Sequence, residues 1–292
     1  MGKKTAGYKI FSAVNIIFMA AVCFFCIYPF IYMLSLSLSN VKPVVEGKVF
    51  LYPIGFGLSS YKVILSYPKF FIAYGNTIFY TFAGGFIALF MTIIFAYPLS
   101  KTFLKGRKII MNMVIFTMFF SGGIIPNFLV VSSLRLTDTV FAYLLPFAIS
   151  PFNLIILCNF FGTLPDSIEE AALIDGMNYI GILARIIVPL SKPAIATITL
   201  FIAVFFWNDW FYGLIYMSNS SLYPVMLILR NIVTGGSILG ASAGSASSQD
   251  QTVVYSTLKA AASILTAVPI IIFYPFLQRY FVTGLTIGAV KG

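Results

Sequence analysis

Histidine is absent from the 292 residues, which removes the commonest general base, metal ligand and neutral-pH proton carrier. Charge is scarce, since Asp, Glu, Lys and Arg together make up 9% of the chain, against roughly 25% in a soluble domain. Only eight residues are acidic, and the three cysteines are Cys23, Cys26 and Cys158. Cys23 and Cys26 form a CxxC pair in the middle of an apolar run, with no second pair and no His. They read as small hydrophobes rather than as a zinc or redox site. No GxxxxGK[ST] loop occurs, so the chain lacks the phosphate cradle that ATP hydrolysis needs. No HExxH or comparable metal cluster is present either. Gly240-Ala241-Ser242-Ala243-Gly244 matches GxSxG, but it lies in a Gly/Ser-rich run of a His-free chain. A nucleophile elbow needs a strand–turn–helix setting and a His partner, so that reading is excluded.

What the chain has is apolar residues, 60% of the total, with 31 Phe and 17 Tyr. This is the composition of an all-α integral membrane protein. The net charge of +10 does not point to nucleic acid, because the basic residues are dispersed and flank apolar spans, where they anchor topology. Six spans are expected, at about 10–38, 74–99, 109–134, 140–161, 193–216 and 258–281. The first, preceded by Lys3, Lys4 and Lys9, is too long for a signal-peptide core and is expected to be retained. Residues 39–71 are too broken by Pro and Gly for a span. Ala83-Gly84-Gly85 offers a small-residue face for close helix packing. Gly122-Gly123 and Pro126 predict a bend in the third span, and Pro146 and Pro151 interrupt the fourth. Gly235–Ser248 reads as a flexible Gly/Ser stretch.

Six spans put both termini on one side of the membrane. Assigning the N-terminus to the cytoplasm places Lys3, Lys4, Lys9, Lys101, Lys105, Arg107, Lys108, Arg185, Lys192, Arg279 and Lys291 inside. The first outer loop also carries Lys42, Lys48, Lys62 and Lys69, so the dense short loop at 101–108 decides the orientation. Proton- or sodium-coupled carriers keep ionisable groups at membrane depth. Here Asp209 and Lys192 lie near span ends and no carboxylate sits mid-span. A stand-alone carrier or channel is therefore the alternative rather than the leading reading.

One polar stretch stands out, Pro165–Pro189, which holds Asp166, Glu169, Glu170 and Asp175, half of all the acids. Between spans four and five it is expected to be cytoplasmic. Ser167-Ile168-Glu169-Glu170 matches a capping box. Asp175-Gly176 supplies a left-handed stop. A short helix over about 167–176 follows, too short to be stable alone. Ala171 and Ala172 allow a partner's backbone to come close, and Glu169 and Glu170 can pair with basic groups. Glu170 equally completes its own capping box, and the two roles are compatible.

Glu170-Ala171-Ala172, then Gly176, then Ile186-Ile187-Val188-Pro189 resembles the EAA signature of ATP-binding-cassette (ABC) importer permeases, EAA-x3-G-x9-I-x-L-P. Val188 replaces Leu, an apolar exchange. The resemblance extends over nearly the whole chain, through Phe120–Pro126, Asn159-Phe160-Phe161, Leu164–Ser167, Trp207-Asn208-Asp209-Trp210 and the Gly284–Gly292 tail. It points to the carbohydrate-uptake branch, the MalG-like, LplC/YtcP-type permeases of binding-protein-dependent systems. Arg135 stands where the branch pattern has Gly, and Val225-Met226 where Leu-Gln is common. Those departures bear on local geometry.

The resemblance implies a type I ABC importer fold of six transmembrane helices in a bacterial cytoplasmic membrane. It also implies that the EAA helix is a coupling helix seated on an ATPase subunit, with Glu169, Glu170, Ala171, Ala172, Asp175 and Gly176 forming the contact. The implied partners are a second homologous permease, two ATPase subunits and an extracytoplasmic sugar-binding protein. This chain would bind no cofactor, ATP and Mg being held by the ATPases. Sugars are bound by aromatic faces and neutral hydrogen-bonding groups. Tyr97, Asn127, Asn153, Asn159, Trp207, Asn208 and Tyr212 are therefore candidate path residues. Each also has a plain structural reading, as an interfacial aromatic or an interhelical hydrogen-bonding amide.

Overall fold

A backbone inside a bilayer must satisfy its N–H and C=O groups internally, and the long apolar runs accordingly fold as helices. The structure is a computed structural model that describes residues 6–234, 256–273 and 275, and no strand occurs among them. Gly235–Ser248, the Gly240–Gly244 match, Lys3, Lys4, Arg279, Lys291, the end of the sixth expected span and the Gly284–Gly292 tail lie outside the described residues.

In chain order the helices are α1 (Ala6–Ser37), α2 (Val41–Val45), α3 (Ser59–Leu65), α4 (Pro68–Ser100), α5 (Arg107–Phe119) and α6 (Ile124–Ser133). There follow α7 (Val140–Leu144), α8 (Pro151–Phe161), α9 (Asp166–Ile174), α10 (Tyr179–Ile182) and α11 (Val188–Leu190). Last come α12 (Lys192–Asn208), α13 (Phe211–Tyr216), α14 (Val225–Val233) and α15 (Ser256–Phe273). Three of these are long and apolar enough to cross a membrane unbroken: α1 from Gly7, α4 and α15. Three further candidate spans are bent pairs, α5 with α6 (116°), Val140–Phe147 with α8 (43°), and Tyr179–Leu190 with α12 (84°).

The bends have sequence causes. Between α5 and α6, Gly123 takes φ 90°, a conformation open to Gly, and Pro126 falls in the first turn of α6. Pro146 opens a 3-10 turn over Leu145–Phe147, and Pro151 opens α8. The fifth expected span, 193–216, folds as α12 and is shorter than the sequence predicts. It ends at Asn208 rather than 216, because Asp209 is extended (ψ 127°) and its carboxylate accepts the Tyr212 amide at 3.4 Å. An Asp that bonds nearby backbone favours a helix boundary over a helix interior.

The chain groups into two compact units. In the first, which includes the chain up to Pro68, most of α1 is exposed and apolar, while Ser35 and Ser37 near its C-terminal end are buried. Cys23 and Cys26 are exposed on it. Its last turn is tied down by hydroxyls: Ser37 meets the Tyr61 hydroxyl at 2.8 Å, and Ser39 accepts the Ile54 amide at 3.1 Å.

The second unit includes Lys69–Ile228 and has a core built from α4, α8 and α12. Tyr80, Leu157, Phe161, Ile198 and Phe206 are almost fully enclosed. The Tyr80 and Tyr143 rings meet with centroids 4.6 Å apart. Gly84 lets the Phe206 ring lie directly on the α4 backbone. At one end of α4, Asn76 Nδ2 donates to the Ser221 carbonyl (2.7 Å), Thr77 Oγ1 accepts the Val225 amide (2.7 Å), and the Tyr80 hydroxyl donates to the Leu222 carbonyl (2.8 Å). The other end of α4 meets α9.

Candidate coupling site

The polar stretch folds as two helical pieces, not one. α8 ends at Phe161, and residues 162–165 lead into α9. The expected capping box does not form. Pro165 is the residue before the helix, extended at ψ 128°, and its carbonyl already accepts the Ile168 amide (3.2 Å). Ser167 therefore lies inside the first turn instead of capping it, and no side chain caps this end. Asp166 and Glu169 sit in the first turn, where carboxylates favour the positive end of the helix dipole.

The stop is as the sequence predicts. Gly176 has φ 80°, its amide donates to the Leu173 carbonyl (3.0 Å), and the Met177 amide donates to the Ala172 carbonyl (3.0 Å). These two bonds define a Schellman end. Buried Ala172 and half-buried Met177 both pack on the core. Beyond it, Asn178 Oδ1 accepts the Gly181 amide (2.7 Å) and starts α10. A π-turn over Leu183–Ile187 then leads to α11 and Pro189.

α9 has two distinct faces. Inward, Ala172 and Glu169 are buried, Glu169 with 6% exposure. Glu169 Oε1 is ion-paired with Lys101 Nζ, and Glu169 Oε2 accepts the Tyr97 hydroxyl at 3.2 Å. Outward, Glu170, Ala171, Leu173, Ile174, Asp175 and Gly176 are exposed. Ile174 is 86% exposed, and Ile180, just beyond the stop, is 77% exposed. Exposed Phe103 lies 6.3 Å from the Tyr179 ring. The outward face thus mixes two carboxylates, two small residues and bare apolar groups.

Six residues were singled out for this contact from the sequence, and the structure separates them. Glu170, Ala171, Asp175 and Gly176 face out, whereas Glu169 and Ala172 are used inside the chain. Tyr97, grouped in the sequence with the sugar path, instead lies buried beside α9 with its hydroxyl on Glu169. Sequence reasoning missed Lys101, Phe103, Ile174 and Ile180. Two isolated isoleucines around an acidic helix were a signal, but only the fold shows which way they point.

The other candidate path residues are dispersed. Asn153 is buried on α8, Asn159 is exposed on the same helix, and Asn127 is exposed on α6. Trp207 is buried, with the Tyr74 ring edge-on at 5.7 Å. Asn208 is exposed and its Nδ2 donates to the Val204 carbonyl (2.9 Å). Tyr212 sits in an aromatic cluster, 4.4 Å from the Phe147 ring and stacked on Tyr216 at 6.0 Å.

No family model matches the chain. Full-length relatives do. The chain is 44% identical over 288 residues to Protein LplC of Bacillus subtilis (strain 168), covering 99% of this chain and 97% of that one. It is 41% identical over 278 residues to the polygalacturonan/rhamnogalacturonan transport system permease protein YtcP of the same organism, with 94% and 96% covered. Among solved structures, a bacterial ABC transporter involved in the import of the acidic polysaccharide alginate matches at TM-score 0.87 and 33% identity. That match covers 96% of this chain and 100% of the other. Helices long enough to cross a membrane and a full-length match to an importer define the class: a multi-pass membrane subunit of an ABC importer. The chain belongs to the carbohydrate-uptake ABC transporter permease family.

Proposed function

We propose that this permease forms, with a second homologous permease, the path for a saccharide delivered by an extracytoplasmic binding protein. Two ATPase subunits bind and hydrolyse ATP, and one of them seats on α9. Both termini are cytoplasmic in this reading, with α9 on the same side. The observation that carries it is the split of α9 into a buried face fixed to the core and an outward face of Glu170, Ala171, Leu173 and Ile174. Ile174 and Leu173 beside Glu170 and Ala171 give that face apolar groups, a charge and a small residue suited to a protein contact. The Gly176 stop holds that face in shape between two helical spans.

Asn208 and Tyr212, at the turn that ends α12, are the best-placed candidates to meet a sugar, one an exposed amide and the other part of an aromatic cluster. Trp207, Asn127, Asn153 and Asn159 are secondary candidates. An acidic oligosaccharide is the first substrate to try. The similar importer named for alginate and the relative named for polygalacturonan and rhamnogalacturonan support that choice. The test is ATPase stimulation of the reconstituted importer by the loaded binding protein, across a panel of neutral and acidic oligosaccharides. Stimulation by one class of saccharide supports the reading. Substrate movement by this chain alone, with no ATPase subunit in the liposomes, would overturn it.

A further inference from the structure

The inward face of α9 is explained neither by the EAA signature nor by docking outward. Glu169 precedes the EAA glutamate, and its partner Lys101 follows the last residue of α4, 68 positions earlier in the chain. Both are buried, at 6% and 7% exposure. The Lys101 ammonium is held from three sides. It pairs with Glu169, it lies 5.3 Å from the Tyr97 ring centroid, and it sits at the C-terminal, negative end of a 33-residue helix. Tyr97 closes the triangle by donating to the second Glu169 oxygen at 3.2 Å. Arg107 Nε covers a further carbonyl of that helix end, Leu99 O, at 2.7 Å.

Stability alone does not account for the pair, since buried ion pairs are commonly no better than apolar replacements of similar volume. What it adds is register. A slide of α9 along α4 would strand two charges in a low-dielectric interior, a cost added to the loss of apolar packing. The covalent links at either end of α9 are turns, at residues 162–165 and at Gly176 with its positive φ. Turns absorb a displacement more readily than a buried ion pair does.

Building on the reading of α9 as the coupling helix, we propose that Lys101, Glu169 and Tyr97 form an internal tie that makes α9 and α4 move as one body. Force applied to the outward face of α9 then reaches a membrane-spanning helix directly, bypassing the turns. These three are positioning residues for coupling and touch neither nucleotide nor sugar.

The experiment uses the complete importer in proteoliposomes and reads substrate imported per ATP hydrolysed, alongside co-purification of the ATPase subunits. Glu169→Gln and Lys101→Met should keep the ATPases bound while lowering the ratio by about tenfold, within the usual range for coupling between sites. The double variant Lys101→Met with Glu169→Gln strands no buried charge, so it should accumulate in the membrane like the parent protein while keeping the low ratio, which covers the case where the single variants fail to fold. A normal ratio in either single variant overturns the proposal. So does loss of the ATPases from Glu169→Gln, which would place Glu169 at the contact itself. A double neutral variant that accumulates normally and imports at the parental ratio overturns it as well. Glu170→Lys reports separately on docking. If it leaves ATPase association intact, the coupling-helix reading fails; if it releases the ATPases while Glu169→Gln stays fully coupled, only the tie fails.

Discussion

Phe206 occupies the space that any side chain on Gly84 would need. A Cβ built on Gly84 would lie 2.5 Å from the Phe206 Cζ and within 2.9 Å of both neighbouring ring carbons. Phe206 is 1% exposed, with Phe205 and Tyr143 against it, so the ring has little room to move aside. Gly85, one residue on, has open space by comparison, its nearest neighbour being Ile202 Cγ2 at 4.0 Å.

The two glycines therefore make a matched pair. Gly84→Ala should destabilise the folded protein by about 1–3 kcal/mol, the usual cost of overpacking a filled core. Gly85→Ala should be neutral or mildly stabilising, since Ala is the better helix former. Thermal unfolding in detergent of the two variants side by side measures the contrast, and equal shifts would contradict the packing described.

Arg135 gives a prediction of the opposite sign. It sits just past α6 with φ 55°, its amide donates to the Ser132 carbonyl (2.9 Å), and the Leu136 amide donates to the Val131 carbonyl (3.1 Å). This is a Schellman end with arginine in the left-handed position that glycine takes without penalty. Arg135→Gly should stabilise by about 1 kcal/mol, offset in part by the greater freedom of glycine in the unfolded chain. An unfolding temperature at or below that of the parent protein would count against it.

Gly176 tests the same geometry at the proposed docking face of α9. With φ 80° and open space around its Cα, a Cβ there meets strain but no clash. Gly176→Ala should cost about 1 kcal/mol at the end of α9, loosening the last turn that presents Ile174. Global unfolding should move little, while ATPase association weakens; the two readouts together separate a local effect from a general one.

Local signals served the sequence reading well and non-local ones did not. The glycine stop after α9, the packing face around Gly84, and the breaks near Gly123 and Pro151 all depend on backbone preferences within a few residues. The positive φ of Arg135 was foreshadowed by its replacing an expected glycine. The start of α9 differs from the sequence pattern because Pro165, two residues before the matched Ser167, takes the capping position. Trp207–Tyr216 is apolar enough to continue the fifth expected span, but the carboxylate of Asp209 ends α12 at Asn208 instead. Glu169 could not be assigned from its neighbours at all, since its partners Lys101 and Tyr97 are 68 and 72 residues away. Only the packing of α4 against α9 separates the inward glutamate from the outward one.

That separation is the central claim, and one measurement bears on it most directly. Glu169→Gln and Glu170→Lys, built into the complete importer, are compared for retention of the ATPase subunits on purification. Glu170→Lys should release them and Glu169→Gln should keep them. Release by Glu169→Gln with retention by Glu170→Lys would reverse the two faces of α9 and contradict the account.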